Sequence, residues 1–157
     1  MKLWIFTIIL RQNLHLIMAR IKLNLPEIFP FTTQIKIRIA DINYGNHLAN
    51  HVYLELMQEA RLQFFMHYGY SEKNLGGKGV IMGDTAIVFK HECFYGDVLN
   101  VAVIPADFGV KSFDLLYKLT RESDGAIVCE AKTGMVCYDY EIQKTVEVPE
   151  AFRKLFP

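Results

Sequence analysis

Neither sign of charge is in excess in this chain, because 17 basic and 17 acidic residues cancel over 157 positions. That balance argues against a basic nucleic-acid surface and against an acidic tail. Cysteine is scarce as well. Cys93, Cys129 and Cys137 are odd in number, widely spaced and without a CxxC pattern. A disulfide framework is therefore not expected. Free, buried thiols in a reducing compartment, the cytoplasm, are. Serine is equally rare: Ser71, Ser112 and Ser123 are the full set, and none lies in a GxSxG elbow, so a serine-hydrolase nucleophile is not expected. GGKG at 76–79 lacks the rest of a phosphate-binding loop. No repeat or low-complexity tract is present.

Long apolar runs are also missing. LWIFTIIL, residues 3–10, is too short to span a bilayer as a helix. No small-residue cleavage site follows it, as a secretory signal would need. Residues 1–17 are read as a leader or a misassigned start ahead of Met18, and residues 18–157 as one domain.

What the chain has in quantity is apolar surface. Its hydrophobic fraction is 52%, with 13% aromatic residues, enough for a sizeable core. A small domain this rich in apolar residues is expected to bury some of them between subunits, as a homodimer or homotetramer.

Periodicity divides the chain into elements. Ile35, Ile37 and Ile39 alternate with polar residues over 31–41, the pattern of a half-buried strand. Residues 50–68 read as a helix with apolar residues around most of its circumference, so it needs cover on nearly all sides. Gly69 is placed to stop it. Four strands are expected over about 80–95, 97–105, 110–122 and 126–140, with turns at Tyr95-Gly96-Asp97, Asp107-Phe108-Gly109 and Ser123-Asp124-Gly125. Phe113, Leu115, Tyr117 and Leu119 show the clearest alternation. The order of strand, buried helix and four-stranded meander predicts an α+β architecture, a curved antiparallel sheet wrapped around one helix.

The chemically informative stretch is DINYGNHLANHVYLELMQEAR, residues 41–61. Asp41, Asn43, His47 and Asn50 fall before or at the start of the helix, where backbone amides are unpaired and carry positive partial charge. Such amides can hold the oxyanion formed when a thioester carbonyl is attacked, while a nearby carboxylate or amide positions water. The alternative is a polar turn with ordinary capping by Asn46 or Asn50. The residues alone leave both open. His47 and His51 have i,i+4 spacing but lack a third ligand or an HExxH context, so they read as polar residues at a helix entrance rather than as a metal site. His15, His67 and His91 stand in no motif. Cys93 and Cys137, in expected strands, read as structural thiols.

This stretch resembles the signature of hot-dog thioesterases of the 4-hydroxybenzoyl-CoA thioesterase type, approximately D-x-D-x-x-G-H-x-N-N-x-x-Y-L followed by E-A-R. Asp41, His47, Asn50, Tyr53, Leu54, Glu59, Ala60 and Arg61 match. FYGDVLNVAV at 94–103 and KSFDLLYKL at 111–119 are similar to the family's following turn and strands, so the likeness covers about 31–140. It implies a hot-dog fold and an acyl-CoA or acyl-carrier thioester as substrate. It further implies a site between two subunits, the amide near Asn50 facing the thioester carbonyl, and no metal or cofactor beyond the CoA of the substrate. Two departures stand out. Asn43 replaces the usual catalytic aspartate, and the glycine comes one place early, as Gly45. An amide is neither a general base nor a carboxylate nucleophile. Asn43 then positions water for another group, or Asp41, His47 or Glu59 takes over, or activity is lost. Glu59 is alternatively a structural partner near Arg61.

Three functions follow from these residues: thioester hydrolysis, hydration or dehydration of an enoyl thioester, and non-catalytic thioester binding. Asp41 and His47 echo the Asp–His pair of hot-dog hydratases, but the proline of that motif is missing and the spacing differs. Hydrolysis is the reading carried forward.

Overall fold

The protein is described here by a computed structural model that covers residues 21–156. The expected leader at 1–17 lies outside those residues. Six strands, β1 (Phe31–Lys36), β2 (Gly79–Phe89), β3 (Val98–Ala106), β4 (Ser112–Arg121), β5 (Ile127–Asp139) and β6 (Lys144–Thr145), form one antiparallel sheet. Its order is β1-β3-β4-β5-β2, with β6 added to β5. The helix α1 (Val52–His67) packs against the concave face, and a single turn, α2 (Glu150–Arg153), closes one end.

The alternation in β4 places its core face. Phe113, Leu115, Tyr117 and Leu119 are all buried, and Tyr117 is paired across the sheet with Val103 on one side and Ala131 on the other. Met57, Ala60, Phe64 and Phe65 of α1 are fully buried in the same cluster. Burying a side chain of this size contributes about 1.5–3 kcal/mol, so this seam is a main source of the fold's stability. Phe152 of α2 is also fully buried and packs against Phe65 and Phe113.

Four expectations need correcting. The last four long strands are not a meander: β3, β4 and β5 are, but β2 pairs with β5 and not with β3, so the chain after Phe89 crosses to the other side of the sheet instead of turning back as a hairpin. The strand expected over 31–41 ends at Lys36, and residues 39–41 form a 3-10 turn. Arg38 grips the Asp41 carboxylate with its backbone N–H at 2.7 Å and its guanidinium at 2.8 Å, which turns the chain and leaves Ile39 exposed. This local ion pair overrides the period of two. The strand expected over 80–95 stops at Phe89, where the chain leaves β5. Finally, α1 is not covered on nearly all sides. Glu55, Gln58, Glu59 and Met66 are exposed, because the sheet wraps only one flank of the helix. Gly69 does end the helix: at φ +78° it lets the amide of Tyr70 reach back to the Phe65 carbonyl at 2.8 Å.

Candidate active site

The loop at 41–49 is closed onto itself before α1 begins. Ile42 and Leu48 form an antiparallel bridge, the amide of Asn43 donates to the His47 carbonyl at 3.0 Å, and that of Ala49 to the Asp41 carbonyl at 3.0 Å. The Leu48 amide ties the loop to the Cys93 carbonyl at 2.8 Å. Within this frame the Asn43 side chain is oriented at both ends. Its Oδ1 accepts the Gly45 amide at 2.8 Å, so its Nδ2 faces His47 Nδ1 at 3.4 Å.

The displaced glycine has a steric reason. A Cβ on Gly45 would lie 3.0 Å from His47 Nε2 and 3.1 Å from Asn43 Oδ1. Any side chain there would push apart the two groups that the turn brings together. The next residue, Asn46, takes the left-handed turn at φ +64°, a conformation asparagine tolerates better than most residues.

Capping by Asn46 or Asn50 does not occur. His51 is the N-cap of α1 and makes no side-chain cap, and among the described residues the amides of Asn50, His51 and Tyr53 donate to no backbone carbonyl. The positive end of the helix is therefore open to a ligand. It opens on a cavity of about 150 Å³. His47, Leu48, Asn50 and Tyr53 line one side, and Phe89, Lys90, His91 and Glu92, where the chain leaves β2, line the other. The Tyr53 ring meets Phe89 edge-on at 5.0 Å, and its hydroxyl donates to Cys93 Sγ at 3.8 Å. Burial pushes the Tyr53 phenol well above its ordinary range, so it stays protonated.

Asn43, His47 and Asn50 thus come together at the entrance to α1. Asp41 and Glu59 do not share their position. Asp41 is buried and holds the turn, and Arg38 keeps its carboxyl below the usual range. Glu59 lies on the exposed flank of α1 and accepts from Gln63 Nε2 at 2.6 Å. It lines a separate groove of about 450 Å³ with Lys36, Arg38 and Glu55. Glu59 is not the partner of Arg61 either, since Arg61 turns inward and meets Glu72 at 2.6 Å. The three thiols are buried, and burial raises Cys129 to about 12 and Cys137 to about 11, which leaves them as poor nucleophiles. Among the described residues no cluster of His, Cys, Asp and Glu is arranged to hold a metal ion. No described helix is long and apolar enough to cross a membrane.

Sequence reasoning missed the far wall of the cavity. Residues 89–92 carry no motif, and only the pairing of β2 with β5 brings them opposite the helix entrance.

Comparison with known proteins agrees with this fold. The sequence profile of the thioesterase-like superfamily matches residues 37–156. Long-chain acyl-CoA thioesterase FadM of Escherichia coli (strain K12) is 24% identical over 123 residues, covering 78% of this chain and 93% of that one. Among solved structures, Slr0204 of Synechocystis, a 1,4-dihydroxy-2-naphthoyl-CoA thioesterase, superposes with a TM-score of 0.72 at 19% identity, over 79% of this chain and 93% of that one. The protein SAV2348 of Staphylococcus aureus, solved in complex with CoA, superposes with a TM-score of 0.71 at 21% identity, over 83% and 84% of the two chains.

Proposed function

This chain belongs to the thioesterase-like superfamily, and from that membership we propose that it hydrolyses acyl-CoA thioesters to a free acid and a thiol. The observation that carries the reading is the uncapped start of α1, whose free amides open on a cavity beside the Asn43–His47 pair. The thioester carbonyl lies against the amide of Asn50, which holds the oxyanion as water attacks. Asn43 and His47 flank the carbonyl and orient that water. Asp41 contributes by holding the turn, and Glu59 by shaping the neighbouring groove.

The working unit is a homodimer, and dimers can pair further into tetramers. β2 supports this, since among the described residues it pairs only with β5 and leaves its other edge open. Ile81, Met82 and Phe89 are exposed along it. An uncovered apolar edge strand is a template for pairing with another chain. The reduced thiols fit a cytoplasmic enzyme.

The test is a panel of aliphatic and aromatic acyl-CoAs and carrier-linked thioesters, with free thiol measured in each. Release above background is expected for at least one class. A change in enoyl-CoA absorbance without thiol would mean a hydratase. A gain in melting temperature without turnover would mean a binding module.

A further inference from the structure

We infer that His91 is the general base of this hydrolysis, an inference that rests on the hydrolase reading above. Water is a poor nucleophile until a nearby group takes its proton, and that group works best with a pKa near the operating pH. The usual aspartate is absent, since residue 43 is an amide. Both oxygens of Asp41 are occupied by Arg38. Glu59 lines another groove. Lys90 is a cation paired with Glu130 at 2.8 Å. Glu92 lines the same cavity, but among the described residues its carboxylate has no partner to orient it.

The choice falls between two histidines, and their surroundings differ. His47 Nδ1 sits between Asn43 Nδ2 at 3.4 Å and the Leu48 carbonyl at 3.2 Å. With Nδ1 accepting from Asn43 Nδ2, the neutral His47 ring carries its hydrogen on Nε2, which leaves no lone pair there. His91 Nδ1 lies 2.7 Å from the Ile127 carbonyl. A carbonyl only accepts, so Nδ1 carries the hydrogen. In the neutral ring the lone pair is then on Nε2, which has no partner among the described residues. His91 lines the cavity together with Asn50 and Tyr53.

A β-bulge provides the anchor. The register between β4 and β5 shifts where Leu119 pairs with Cys129 and Thr120 with Ile127. The Val128 carbonyl receives the amides of Lys90 and His91 at 2.9 and 3.3 Å, and the Ile127 carbonyl receives the ring. Bulges often re-aim a side chain beside a site. A base oriented by a third group at its far nitrogen is the arrangement that activates nucleophiles elsewhere.

His91 Nε2 takes a proton from water as the water oxygen bonds to the carbonyl carbon. The tetrahedral intermediate expels the thiolate by breaking the C–S bond, and His91 returns the proton to the sulfur. One water is consumed, and acid and thiol are released.

The experiment compares wild-type protein with His91→Gln and His91→Ala across pH on the best substrate of the panel. Both variants should lose about a hundredfold in kcat, the usual worth of one acid–base group, with KM little changed. Wild-type kcat/KM should fall in acid as the base takes up a proton, and that limb should vanish in His91→Gln. Other titratable or charged groups around the ring are His47, Tyr53, Lys90, Glu92, and Arg121, which holds the Glu92 carbonyl at 3.1 Å. A limb that survives in His91→Gln belongs to one of these and overturns the assignment. Added imidazole should restore part of the activity of His91→Ala. Variants with wild-type kcat overturn the role of His91 while leaving hydrolysis standing. A wild-type protein that releases no thiol overturns both.

Discussion

Asp41 meets Arg38 through both carboxylate oxygens, Oδ1 accepting from the guanidinium at 2.8 Å and Oδ2 from the backbone amide at 2.7 Å. The carboxylate is buried while the guanidinium is largely exposed. The side-chain hydrogen bond from Arg38 is the main cause that lowers the Asp41 pKa. A carboxyl whose folded pKa is depressed stabilises the fold above its unfolded pKa, and that contribution is lost as pH falls through the folded value. Asp41→Asn should therefore lower the melting temperature at neutral pH, with the gap to wild type closing in acid, below about pH 4. Melting curves from pH 7 to pH 2.5 check this, and a gap that stays constant contradicts it.

Arg61 makes a second prediction. It is 7% exposed and meets Glu72 at 2.6 Å. Removing the carboxylate leaves a buried cation without its partner. Glu72→Ala should cost about 3 kcal/mol, toward the lower end for a broken buried pair. Denaturant unfolding measures it.

Asn43→Asp should keep or raise activity. The volume is nearly unchanged, Oδ1 can still accept the Gly45 amide, and the second oxygen would face His47 Nδ1. A carboxylate there can polarise water. Thiol-release kinetics on the two proteins decide it. A folded but inactive Asn43→Asp would show that the amide's N–H is itself required.

The oligomer prediction rests on β2. Sedimentation at micromolar concentration should show at least a dimer of the 18.1 kDa chain. Thr85→Pro, at an exposed position of the edge strand, should weaken it, because proline blocks strand pairing. A wild-type protein that sediments only as a monomer contradicts the reading.

How far the sequence speaks depends on the range of the forces at work. The alternation Phe113, Leu115, Tyr117, Leu119 reports a sheet face directly, and β4 follows it. The same rule failed at Ile39, where a three-residue ion pair turned the chain. It overstated the cover on α1 because Leu54, Leu62 and Met66 are apolar yet only half-buried or exposed. The Asn43–His47 half of the site was legible because its parts are neighbours in sequence. The His91 half depends on strand pairing across 36 residues to Ile127, and no local pattern encodes that distance.

The most direct test of the account is isotopic. Protein is mixed in H2 18O with an acyl-CoA it turns over, first in excess substrate and then in a single turnover, and the products are weighed by mass spectrometry. Water attack without a carboxylate nucleophile predicts free acid with one 18O, free thiol, and no label in the protein under either condition. Hydrated product still joined to CoA, or an acid left unlabelled in the single turnover, would contradict the proposal that water activated at the start of α1 attacks the thioester.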